Sequence, residues 1–85
     1  METLMHENVD WLKKQSAAEL YELSGRCIGR ALEATDEARH WDAIAKRHRN
    51  SSKGYEAREK GMRYRRESLR HIKEAQFYAQ KARER

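Results

Sequence analysis

Residues 17–45, AAELYELSGRCIGRALEATDEARHWDAIA, carry a small side chain at every seventh position: Ala17, Ser24, Ala31, Ala38 and Ala45. Residues 54–82, GYEAREKGMRYRRESLRHIKEAQFYAQKA, repeat the device with Gly54, Gly61, Ser68, Ala75 and Ala82. Paired as 45 with 54, 38 with 61, 31 with 68, 24 with 75 and 17 with 82, the positions sum to 99 each time. A constant sum is the register of an antiparallel pair, and seven-residue spacing is that of a coiled-coil seam. Small residues on both sides let two helix backbones approach toward the near end of the ~8–10 Å packing range. A strict heptad also predicts a gentle left-handed supercoil.

The flanks of this seam agree with it. At a sum of 98, Leu20 meets Tyr78, Cys27 meets His71, Ala34 meets Tyr64 and Trp41 meets Ala57, large against small in two of the four pairs. Ser16-Ala-Ala-Glu19 is a capping box for the first helix, Asn50 suits a left-handed C-terminal cap, and Ser51 or Ser52 can cap the second. The expected chain is therefore one all-α domain. Helix 16–49, turn 50–53 and helix 54–84 form a long antiparallel hairpin, a small-residue coiled coil, preceded by residues 1–15 as a short helix or an arm. In the helical version Asn8 is the cap and Met5 the staple, and Val9, Trp11 and Leu12 fold back near Tyr21, Phe77 and Tyr78.

Composition points the same way. The 85 residues include no proline, four glycines and one cysteine. Strand folds, disulfide frameworks and the usual multi-cysteine zinc sites are excluded on that basis. No apolar run approaches the ~18 residues of a membrane span, and the polar N-terminus is no signal peptide, so a cytoplasmic protein without membrane contact is expected.

Two surfaces are left over by the hairpin. Tyr21, Ile28 and Leu32 share one broad face with Met62, Leu69 and Ile72, and Gly25 and Gly29 lie along its edge. A glycine inside a helix costs about 1 kcal/mol relative to Ala, so close approach of another backbone is a reason to keep both. The N-terminal segment lying there, or a local kink, is the plainer alternative. A homodimer forming a four-helix bundle is the sharper one, and a docking surface for a different protein is a third.

Charge is also unevenly divided: residues 1–49 have a net charge of −1 and residues 50–85 of +6. Arg63, Arg66, Arg70 and Lys73 form one outward stripe about 15 Å long, and Lys46, Arg47, Arg49 and Lys53 cluster with His48 at the turn. The stripe can be an ordinary solvated face, since Glu56/Lys60, Glu59/Arg63, Glu67/His71 and Arg70/Glu74 have ion-pair spacing. It can equally meet phosphates or an acidic protein surface.

No catalytic constellation emerges. The four histidines share no ligand spacing, and Asp36 with His40 lacks a third ligand. Cys27 facing His71 lacks an orienting carboxylate on the same face, so packing explains it better than nucleophilic chemistry. A two-helix rod is expected to offer no pocket of the ~300 Å³ that a small molecule wants. No metal or cofactor is implied.

The expectation is a non-enzymatic regulatory or inhibitory protein that binds another protein through a helical face. Trp41, Tyr64 and Tyr78 would anchor the contact, with Arg63, Arg66, Arg70 and Lys73 at its rim. Free-standing helical chains of this size are frequent among phage and mobile-element products aimed at host or defence machinery, an association that these residues do not themselves carry. The alternative is a hairpin that binds nucleic acid through the stripe and the tip. A third possibility is an obligate assembly subunit.

Overall fold

A computed structural model describes residues 9–85 as three helices, α1 (Val9–Lys14), α2 (Ala17–Arg47) and α3 (Ser52–Arg83). The chain measures 52 × 23 × 12 Å, the shape of a single layer of two long antiparallel helices. The Asn8 cap and Met5 staple proposed for α1 lie outside the described residues.

The expected register is the one found. Ser24 Oγ donates to the carbonyl of Ala75 at 2.8 Å, and Ser68 Oγ to that of Ala31 at 3.0 Å. A serine hydroxyl can reach the main chain of the opposite helix only when the two backbones nearly touch. Space beside Gly61 is bounded by the Ala38 carbonyl, and beside Gly54 by the Ala45 carbonyl, each 3.5 Å from where a Cβ would stand. Every seam residue is buried except Ala17, which is half-buried at the open end. Thr35 adds a contact unseen in the small-residue pattern, lying 2.9 Å from both the Ala31 carbonyl and Ser68 Oγ. Two hydroxyl protons thus serve three contacts among Ala31, Thr35 and Ser68, so the group is one shared network.

The turn is as long as the sequence suggested but lies two residues earlier. Helix α2 ends at Arg47, not 49, and α3 begins at Ser52, not 54. Ser51 is the reason: its hydroxyl donates to the His48 carbonyl at 2.7 Å and accepts from the Gly54 amide at 3.2 Å. This one side chain closes both helix ends, so Ser52 is left inside α3. Asn50 has φ 62°, the left-handed conformation expected of it.

At the open end the capping box is complete, with Glu19 N donating to Ser16 Oγ at 3.1 Å and Ser16 N to Glu19 Oε1 at 3.1 Å. Only Gln15 and Ser16 separate α1 from α2, which keeps α1 at the open end of the hairpin. Leu12 is buried against Leu20 and Ala82, with Leu23, Phe77 and Tyr78 around it. The Arg85 guanidinium donates to the Leu12 carbonyl. Tyr21, expected in this cluster, is 51% exposed and stays outside it, because it projects onto the broad face one position round the helix.

These contacts rank the seam positions. A Cβ at Gly54 would collide with the backbone carbonyl of His48, whereas at Gly61 the nearest atom, 2.8 Å away, is a carboxylate oxygen of Asp42 that can rotate aside. In thermal unfolding by circular dichroism, Gly54→Ala should therefore lower Tm much more than Gly61→Ala. Ala31→Leu should cost about 1–3 kcal/mol by overpacking, and the exposed Glu33→Leu close to nothing. Equal tolerance at Ala31 and Glu33 would refute the register.

Candidate functional site

Each broad face of the layer has its own character. On the first, Tyr21, Ile28, Leu32, Met62, Leu69 and Ile72 are all substantially exposed, from 39% at Ile72 to 62% at Leu32. Spacings of seven and four along α2, and of seven and three along α3, bring all six to the same side of the seam. Gly25 and Gly29 have nothing within 4 Å of the place a Cβ would take. Neither the described part of the N-terminal segment nor a break in α2 accounts for them. Toward the tip the same face continues to Tyr55, 58% exposed with the Arg58 guanidinium 5.8 Å from its ring centroid. An ion pair that sequence reasoning did not anticipate, Arg65 with Asp42, ties α3 to α2 beside it.

The second face holds the aromatic residues singled out above, half-buried in the seam. Trp41 is covered by Lys60, whose Nζ lies 4.3 Å from the ring centroid, and has His40 edge-on at 5.3 Å. Its Nε1 is enclosed without an acceptor. Tyr78 is engaged by the open-end cluster, edge-on to Phe77 at 5.5 Å. Tyr64 and His71 line an open groove of about 510 Å³ with Arg30, Glu33, Glu37 and Glu67. Trp41 and Tyr78 lie near opposite ends of this face, about 30 Å apart by helical rise. The three aromatics therefore do not form one cluster.

The stripe is brought together more closely. Arg63, Arg66 and Arg70 line one surface depression of about 550 Å³ with Glu67, and Lys73 lies one step farther along α3. Glu67 also walls the aromatic groove, so it divides the two. The spacings read as ion pairs in the sequence are not the ones used: Arg70 pairs with Glu67 at 3.7 Å, and His71 Nδ1 is 3.2 Å from Glu74. Among the described residues neither Arg63 nor Arg66 makes an ion pair. Lys46, Arg47, Arg49 and Lys53 are exposed at the tip.

Both depressions exceed the volume expected of a two-helix rod. They are open troughs between long polar side chains on a convex surface, and neither encloses a ligand. No three histidine, cysteine or carboxylate side chains converge among the described residues. Cys27 is buried, and burial pushes its thiol above the usual value, with the Glu74 carboxylate adding to the shift and Arg30 opposing it. The Tyr78 hydroxyl is raised as well, again mainly by burial, with Cys27 and Glu74 adding to it. Glu74 is the carboxylate the sequence pairing had missed, and it suppresses the thiolate. No described helix is long and apolar enough to cross a membrane.

No family model, characterised protein or solved structure matches this chain.

The raised thiol and phenol have a consequence for stability. A group whose pKa is higher in the folded chain stabilises fully below its unfolded pKa and loses that contribution as pH rises through the folded one. Tm should be flat near neutrality and fall from about pH 8.5, where an unfolded thiol begins to ionise. In Cys27→Ala the decline should start only near pH 10, where an unfolded tyrosine ionises. Identical slopes for the two proteins between pH 8.5 and 10 would exclude a role for the thiol.

Proposed function

We propose that this protein is a non-enzymatic binding protein, regulatory or inhibitory in action, that holds an acidic surface of another protein against α3. The observation that carries this reading is the convergence of Arg63, Arg66 and Arg70 on a single depression, two of them without an ion-pair partner among the described residues. Arginine forks suit carboxylates, and an exposed group of them beside half-buried aromatics has the composition of a binding hot spot. Tyr64, next to Arg63 in sequence, supplies apolar area where α3 turns toward the groove.

Protein is favoured over nucleic acid by the order of charges along the ridge. Stepping by three and four residues, the outer side of α3 reads Glu56, Glu59, Arg63, Arg66, Arg70, Lys73. Two carboxylates stand between the basic tip and the basic stripe, so the two do not join into a track along a phosphate backbone. The stripe alone, about 15 Å long, matches a discrete acidic patch.

The test uses immobilised wild-type chain and the double variant Arg63→Glu/Arg70→Glu, with unchanged helicity as the control for folding. A protein retained after nuclease treatment by the wild type, and at least 30-fold less by the variant, is the expected result. Co-elution with a mixed DNA and RNA pool that disappears at high salt would move the assignment to nucleic acid.

A further inference from the structure

We infer that the apolar face is covered by a second copy of this chain, two hairpins stacking into a four-helix bundle with α2 of each over α3 of the other. The size of the face is the first argument. Taking roughly 200 Å² for a fully exposed residue of this size, the exposures of Tyr21, Ile28, Leu32, Met62, Leu69 and Ile72 leave about 600 Å² uncovered. That is the upper end of what a monomer ordinarily shows in one patch, and most of the ~800 Å² that each partner contributes to a stable interface. By the register, the patch spans levels 21 to 37 of α2, about 24 Å, and both helices contribute to it. A face built from both helices of a flat layer is complementary in outline to itself. The glycines at 25 and 29 leave the α2 backbone uncovered at its border.

Charge selects the arrangement. A face can stack on itself through a two-fold axis running along the helices or across them. An axis across them lays α3 on α3, and α3 has ten Lys/Arg against four Asp/Glu. An axis along them lays α3 on α2, which has five against six. The outer edge of α2 carries Glu22, which pairs with Arg26 at 2.9 Å, and Asp36, which is 4.0 Å from Arg39 and also reaches the rim of the aromatic groove. The matching edge of α3 carries Arg66 and Lys73. In the second arrangement Asp36 comes opposite Arg66 of the second copy, and Glu22 opposite its Lys73, each within about one helical turn. The basic tips then share one end, but at physiological salt their repulsion is screened over about 8 Å. Arg63 and Arg70, on the groove side of the ridge, remain uncovered, and Arg66, which lines the same depression, is the one arginine that dimerisation and the binding proposed above share.

Light scattering on a size-exclusion column, at ten to a hundred micromolar, should give twice the chain mass of 10.2 kDa. Leu32→Glu and Leu69→Glu should each give the monomer with unchanged helicity, because both residues are more than half exposed in the single chain. Nitroxides at Arg49→Cys, in a Cys27→Ala background, should report a distance between copies below about 30 Å, against about 50 Å if the tips lay at opposite ends. A wild type that stays monomeric throughout, or a dimer indifferent to both Glu variants, would overturn the assembly. A distance near 50 Å would overturn the arrangement. None of these outcomes bears on the Arg63 and Arg70 surface, whose test is separate.

Discussion

Two helices can approach until a serine on one hydrogen-bonds the main chain of the other only if nearly everything between them is small. The hydroxyls of Ser24 and Ser68, donating to the carbonyls of Ala75 and Ala31, show that this limit is reached. The rest of the molecule follows from it. Close approach fixes the register, because a slip of one residue would drive Leu20 or Trp41 into backbone. It also explains why the turn is built around Ser51 and Gly54: helices this close need a connection in which the first turn of α3 lies against the His48 carbonyl.

The same constraint limits what the core can contribute. A buried alanine removes little more than one methyl from water, worth about 0.8 kcal/mol, and Leu20 is the one large side chain fully buried among the described residues. Large apolar residues are present but excluded from the seam. They are placed on its flanks, where one face buries them halfway among aromatic and charged neighbours and the other leaves them in solvent. To the seam the hairpin adds contacts nearer its ends: the Leu12–Leu20–Ala82 cluster at the open end, and the capped turn with the Asp42–Arg65 pair toward the tip.

Most of this architecture was legible in the sequence, for a simple reason. Close packing leaves so little choice at the seam that the ladder from Ala17 to Ala45 and its mirror from Gly54 to Ala82 encode topology and register together. The capping box at Ser16 and the left-handed Asn50 were readable because their geometry depends on local chemistry alone. What was not readable depends on how long side chains reach. Arg65 spans the layer to Asp42, Arg70 turns back to Glu67 instead of forward to Glu74, and Lys60 settles on Trp41. Several torsions separate such charges from the backbone, and spacing alone does not choose among their partners. Trp41, Tyr64 and Tyr78 share one face as the sequence implied, but their separation along it was not considered. A shared helix face says nothing about the 30 Å scale over which Trp41 and Tyr78 are spread.

The distribution of chemistry over the two faces bears on what such a molecule can do. The layer is 12 Å thick, and among the described residues its seam is filled chiefly by small side chains. Cys27, on the flank of the seam, is buried, and that burial pushes its thiol above the usual value. What the layer has in abundance is surface, and that surface is sorted: exposed apolar residues on one side, arginines on the ridge of α3, carboxylates along the edge of α2. Sorting of this kind does nothing for the hairpin itself, since a solvated helix would be served as well by mixed charges and by polar residues at Leu32 and Leu69. It acquires a physical purpose when another macromolecular surface is brought against it, which is what speaks for binding as the proposed function.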